Sequence, residues 1–302
     1  MLKSLLIIGG TGFFGKSILD SFKRGLLSEF NISKIIILAR NIDKFKLEFP
    51  ELIIDGVELI KGDISIINSL PETEFVIHAA TSTKMNEYNH NSNGSGKNNI
   101  EKSVTNFCRL ASIYNAKSKI LYCSSGAVYG KQPLNIEKLD ECFPFQDDLS
   151  DLSIEKKNYC LGKRFAETEV FNLGKLGLSV SIARCFAFFG KYLPKDEHFA
   201  YGNFIANAEN GENIIVKTNG IIYRSYMYAD DLVISLMKIL FDSKPCCPIY
   251  NVGSDNPEKL HEVAQKIAKK YGVKCDFKID NNLILDRYIP NTNKLKSLLN
   301  AK

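Results

Sequence analysis

The stretch from residue 5 to residue 15 constrains the fold of this chain more than any other. Leu5-Leu6-Ile7-Ile8 is an unbroken apolar run that reads as a strand buried on both faces. Gly9-Gly10-Thr11-Gly12-Phe13-Phe14-Gly15 follows, with a helical pattern after it. Strand, glycine turn and helix in that order place the free N–H groups of a helix start beside a tight turn, which is an anion site. Gly9 allows the turn, Gly12 lets the backbone approach a pyrophosphate closely, and Gly15 lets the helix pack on the strand. The spacing is GxxGxxG, and Thr11, Phe13 and Phe14 lie inside it as further cofactor contacts.

The rest of the chain repeats the alternation of strand and helix, which means a parallel, doubly wound sheet. Lys34-Ile35-Ile36-Ile37-Leu38-Ala39 is a second strand, ending at Arg40. That is where dinucleotide folds inspect the adenosine ribose: an acidic residue holds a 2′-hydroxyl, and an arginine meets a 2′-phosphate. Arg40 thus leans toward NADP, with NAD open. Asp63, after Val57-Glu58-Leu59-Ile60, sits where a carboxylate bonds an adenine amine or simply closes a turn. Strands are also expected over Glu74–Ala80, Lys119–Cys123 and Ser179–Ala183. Met85 to Asn99, rich in Asn, Gly and Ser, reads as a loop near the nicotinamide end of a cofactor. Beyond Ala183, Pro194, Gly202, Gly211 and Gly220 break the pattern into short pieces, where a substrate-binding region would begin. The expected division is a dinucleotide-binding part over 1–185, completed by 221–252, and a smaller substrate-binding part from 186–220 and 253–302.

Chemistry concentrates in Tyr159-Cys-Leu-Gly-Lys163, a tyrosine and a lysine one helical turn apart. A free phenol titrates near about 10. A neighbouring ammonium favours its ionised form, so Lys163 is expected to bring Tyr159 toward the working range of an acid-base catalyst. Ser125, at the end of the fifth strand, is placed to bond a sugar oxygen as it becomes a carbonyl or alkoxide, with Ser124 as the alternative.

Composition fits this reading and excludes others. The 302 residues, 45% apolar, are enough for one large or two modest domains. Eight cysteines show no CxxC spacing and only one close pair, Cys246-Cys247, so neither a zinc site nor a disulfide framework is expected, and no metal. Their presence in a nucleotide fold points to a reducing, cytoplasmic compartment. The apolar start runs straight into the glycine turn without a cleavage site, and no membrane association is expected. A net charge of +5, spread along the chain, suits an anionic ligand but not a nucleic acid.

The chain resembles the extended short-chain dehydrogenase/reductase family, specifically its nucleotide-sugar epimerase, dehydratase and reductase group, over nearly its whole length. Gly9, Gly12 and Gly15 fit the glycine motif, Asp63-Ile64 the adenine-contacting position, and His78-Ala79-Ala80 the strand end beside the cofactor. Ser124-Ser125-Gly126-Ala127-Val128-Tyr129-Gly130 fits the serine-rich catalytic strand end, and Tyr159 and Lys163 the catalytic pair. The resemblance implies a Rossmann-type α/β fold with a smaller C-terminal substrate-binding region. It implies that Asn99 organises Lys163 through water, that Arg224 clamps the diphosphate of a nucleotide-diphosphate sugar, and that Asn203 and Arg287 assist. It also implies a homodimer built through the helices that follow Asn99 and Tyr159.

Departures from the family pattern bear on the reaction. The 4,6-dehydratase branch carries an Asp-Glu pair after its catalytic threonine; here Gly126 and Ala127 stand there, and neither transfers protons. Ala187 replaces an asparagine that in many relatives touches the sugar. The expected activity is reduction of a 4-keto group on a nucleotide-linked hexose with NADPH. C4 epimerisation with retained NAD or NADP is the alternative, with 4,6-dehydration behind both and a non-catalytic dinucleotide sensor as the reading from another class.

Overall fold

The computed structural model describes residues 3–82, 85–88, 95–195 and 199–301. The first half alternates β1 (Lys3–Ile8), α1 (Phe13–Lys23), β2 (Ile32–Ala39), α2 (Ile42–Glu48), β3 (Val57–Lys61), β4 (Phe75–His78), α3 (Ser95–Tyr114), β5 (Lys119–Ser125), α4 (Ile154–Lys175) and β6 (Ser179–Cys185). The second half runs β7 (Phe188–Phe189), α5 (Ala200–Glu209), β8 (Ile214–Val216), β9 (Gly220–Arg224), β10 (Met227–Tyr228) and α6 (Ala229–Phe241). It ends with β11 (Ile249–Val252), β12 (Glu258–Lys259), α7 (Leu260–Tyr271), β13 (Cys275–Phe277), β14 (Asp280–Tyr288) and α8 (Asn293–Asn300).

Seven strands form one sheet in the order β3-β2-β1-β4-β5-β6-β11, every neighbouring pair parallel. This is the doubly wound, Rossmann-type α/β architecture expected from the alternating pattern. The apolar runs are continuous because alternate side chains feed two cores. Leu5, Ile7, Ile35 and Ile37 pack in the layer that holds Leu232, Leu236 and Leu240 of α6. Leu6, Ile8, Ile36 and Leu38 pack in the opposite layer, with Val104 and Phe107 of α3 and Ala166 and Val170 of α4. At about 1.5–3 kcal/mol for each buried aliphatic side chain, this two-sided burial fixes the sheet on which the site is built.

The smaller part carries a three-stranded sheet in the order β12-β9-β14, and β8 pairs with β13. Within 221–252, β11 joins the central sheet and α6 packs on it, whereas β9 belongs to the small sheet. The expected loop from Met85 to Asn99 differs as well. Met85–Tyr88 is a 3-10 turn and Ser95 to Asn99 already belong to α3, while residues 83–84 and 89–94 lie outside the described residues. In the first turn of α3, Gly96 passes hard against Tyr88; a β-carbon there would stand 2.6 Å from its ring. Among the described residues no helix is long and apolar enough to cross a membrane.

Candidate active site

The glycine turn has the geometry a pyrophosphate requires. Gly9 adopts φ +83°, and a β-carbon on it would collide with the backbone of Ala79 and Ala80 at 2.5–2.9 Å. Gly15 presses on the turn itself, its absent β-carbon falling 2.1 Å from the Gly10 carbonyl oxygen. Gly12, exposed, caps the N-terminus of α1 with no side-chain hydrogen bond, so the first N–H groups of an 11-residue helix are left for an anion. Thr11 sits on the turn, and Phe13 and Phe14 contact Phe188 of β7 at 6.5 and 5.5 Å between ring centres. The residues present fit a dinucleotide.

Arg40 stands exposed at the end of β2, 4.0 Å from the Asp63 carboxylate. The other Asp63 oxygen accepts from the backbone and hydroxyl of Ser65, at 2.9 and 2.7 Å, so the carboxylate also closes a turn. Ile64 is buried in the core and its carbonyl accepts from Asn106.

Ser125 ends β5, and its Oγ accepts from the Ala127 N–H at 3.1 Å. The same oxygen lies 3.5 Å from the Tyr288 hydroxyl. Ser124 points into the protein instead and donates to Glu167 at 2.6 Å. That distinguishes the two serines: Ser125 faces the site, and Ser124 belongs to the framework. A β-carbon at Gly126 would strike the Phe186 ring at 2.7 Å, so no carboxylate fits there.

Helix α4, capped by Ser153, carries Tyr159 and Lys163 one turn apart. The Lys163 ammonium is 2% exposed and donates to Thr81 Oγ1 (2.8 Å), Tyr122 Oη (3.2 Å) and the Cys123 carbonyl (2.9 Å). Gly9, Ala80, Thr81 and Lys163 thus form a continuous path of contacts from the turn to the catalytic pair. The expectation that Lys163 lowers the phenol is corrected. Burial pushes Tyr159 up to about 12, with the Ser125 hydroxyl acting the other way, because the ammonium is drawn toward Thr81 and Tyr122 and lies 5.9 Å from the Tyr159 ring centre. Burial also lowers Lys163 itself, to about 8.

The direct hydrogen bonds of Lys163 go to residues other than Asn99. Asn99 is exposed on α3, while its neighbour Ile100 is buried against Gly162, the residue before Lys163. Adjacent helical residues point about 100° apart, so only one of the two can face α4.

The substrate candidates meet on the small sheet. Arg224 of β9 donates to Asp286 of β14 at 2.6 Å, not to Asp230, which Arg24 holds. Arg287 pairs in register with Tyr223 and lays its guanidinium 4.4 Å from that ring centre, with Nε buried and without a partner. Asn203 lies half-buried on α5, which reaches the link between β9 and β10 through the Tyr201–Tyr226 ring contact at 5.2 Å. Tyr288, missed in the sequence, stacks on Phe186 at 4.6 Å and links this sheet to Ser125. Tyr88 was missed too; fully buried, it sets its ring edge-on to Tyr159 at 5.4 Å. Neither stands in a spacing that marks it.

Comparison with known proteins places these features in company. Residues 5–253 match the model of the NAD dependent epimerase/dehydratase family. A UDP-N-acetyl-alpha-D-glucosaminuronate decarboxylase of Bacillus cytotoxicus is 28% identical over 286 residues, covering 88% of this chain and 80% of the relative. The crystal structure of a UDP-glucose 4-epimerase from Thermotoga maritima, solved with UDP-glucose, superposes with a TM-score of 0.77 at 16% identity over 97% of this chain and 91% of its own. A dTDP-glucose 4,6-dehydratase of Streptomyces venezuelae, solved with NAD, gives 0.76 at 16% identity over 99% and 91%.

Proposed function

Since the chain belongs to the NAD dependent epimerase/dehydratase family, acting on nucleotide sugars with NAD-type cofactors, we propose that it reduces a keto group at C4 of a nucleotide-diphosphate hexose with NADPH. The observation that carries this reading is the exposed Arg40 at the adenosine end of β2, placed to meet a 2′-phosphate. Burial holds the Tyr159 phenol protonated, at about 12, beside Ser125 and above a lysine that titrates at about 8. A protonated phenol can give its proton to a ketone oxygen, and by microscopic reversibility the same group takes it back from an alcohol. Bound dinucleotide supplies the hydride. Ser125 bonds the ketone oxygen, Tyr159 gives it the proton as the C–H bond forms, and Lys163, charged at neutral pH, fixes the catalytic helix against the cofactor strand. Arg224 and Arg287 hold the diphosphate. Arg40, 64% exposed at the adenosine end, meets the 2′-phosphate.

C4 epimerisation with retained NAD is the second reading, favoured by the Arg40–Asp63 contact, which keeps the guanidinium occupied. Dehydration lacks a carboxylate after Ser125. A homodimer through the outer faces of α3 and α4, where Ile113, Phe165 and Phe171 are exposed, and a reducing cytoplasm, where all eight cysteines stay free, complete the proposal. Mixing the protein with UDP- or dTDP-linked 4-keto hexoses and following reduced cofactor tests it. Stoichiometric consumption, faster with NADPH than with NADH, is expected. Interconversion of C4 epimers without net consumption would replace reductase by epimerase.

A further inference from the structure

Lys163 carries three N–H donors, and all three are spent inside the protein. Thr81 and Tyr122 take two of them through neutral hydroxyls; the third goes to the backbone of Cys123. Thr81 Oγ1 donates its own proton to the Ala80 carbonyl at 2.8 Å, which leaves a lone pair for the ammonium. Tyr122 also turns its ring toward the charge, at 4.9 Å from its centre. The side-chain amide implied for this task, Asn99, is on the exposed side of α3.

We propose that Thr81 and Tyr122 are the positioning residues of the catalytic lysine, holding its ammonium charged and aimed at the cofactor strand. The inference rests on the site reading above, with Lys163 as its cation. A buried ammonium without acceptors discards its proton, because desolvation penalises the charged form. The groups that face it show why the two hydroxyls matter. From β4, His78 is neutral, since burial holds it down to about 3. From β6, burial pushes the Cys185 thiol up. On α4, Tyr159 is protonated, and Glu167, bound to Arg184 and Ser124, still favours the charged lysine through its field. Thr81 and Tyr122 add acceptor dipoles at hydrogen-bond range.

Titration of Lys163 by ¹⁵N NMR in the substrate-free protein tests this without turnover. Tyr122→Phe keeps the ring and its contacts with His78, so it removes one acceptor alone. The Lys163 proton affinity is expected to fall about three- to tenfold, half to one pH unit, with the alkaline limb of kcat/KM moving down by the same interval. Thr81→Val should do likewise and Thr81→Ser should restore the parent value. An unchanged Lys163 midpoint in both Tyr122→Phe and Thr81→Val overturns the inference. A midpoint that moves as described in a protein that transfers no hydride to nucleotide sugars upholds the inference and overturns the reaction instead.

Discussion

Each half of the molecule keeps an arginine against a carboxylate, and the surroundings of the two pairs differ. In the central half, Arg184 and Glu167 are 5% and 7% exposed and meet at 2.8 Å. Arg184 also donates to Tyr129 and the Glu141 carbonyl, and Glu167 accepts from Ser124, so β5, β6 and α4 are bound into one dry network. In the small sheet, Arg224 and Asp286 are 24% and 31% exposed and share one contact at 2.6 Å. A buried pair cannot release its partner without stranding a charge. A half-exposed pair is worth about 1 kcal/mol or less, so Arg224 can exchange Asp286 for a diphosphate at small loss. In the proposed function one pair is framework and the other is grip, with the chemistry on the framework side.

The largest expected effect separates chemistry from grip. Tyr159→Phe should lower kcat by about 10² to 10⁴ while leaving nucleotide-sugar binding by calorimetry nearly unchanged. Equal activity of the Phe variant would move the proton source elsewhere. Next is the framework pair: Arg184→Met leaves Glu167 buried and unpaired, and denaturant melts should show a loss of about 3–5 kcal/mol. A smaller loss would make the two pairs alike.

The central half should also fail first in acid. Buried His78 titrates at about 3 when folded against 6.5 ordinarily. Its stabilising contribution is complete above pH 6.5 and is lost toward pH 3, by about 1.4 kcal/mol per unit. Melts of His78→Phe, flatter over that window, would confirm the source. Grip comes lower on the scale. Arg224→Ala should raise KM about 30- to 150-fold, the equivalent of about 2–3 kcal/mol, with kcat little altered. A fall in kcat at constant KM would put Arg224 in the chemistry and erase the contrast. Smallest is Arg40→Asp, an exposed contact, which should move preference from NADP toward NAD by roughly tenfold; tighter NAD binding by the parent protein would remove Arg40 from cofactor choice.

What was legible in the sequence tracks how local each feature is. The glycine turn, the two-faced strands and the Tyr159/Lys163 spacing depend on neighbours a few residues away, and they stand as expected. That Ile100 is the residue of α3 packed against Gly162 is a matter of helix phase, which no local spacing marks. The acceptors of Lys163 lie 82 and 41 residues distant, and Tyr288 lies 163 residues from Ser125, so no spacing announces them. The direction of the Tyr159 shift was hidden for the same reason. Burial outweighs a lysine whose charge is drawn elsewhere, and burial is a property of the assembled fold.

The central claim is that the framework half exchanges hydride with C4 of a hexose held by its nucleotide diphosphate. Incubating the protein with oxidised dinucleotide and an NDP-hexose deuterated at C4, then measuring the mass of the dinucleotide, tests it by running the proposed reduction in reverse. Deuterium on the cofactor, absent with the free sugar and with Tyr159→Phe, is the predicted result. A folded protein that binds both ligands and leaves the dinucleotide unlabelled would contradict it.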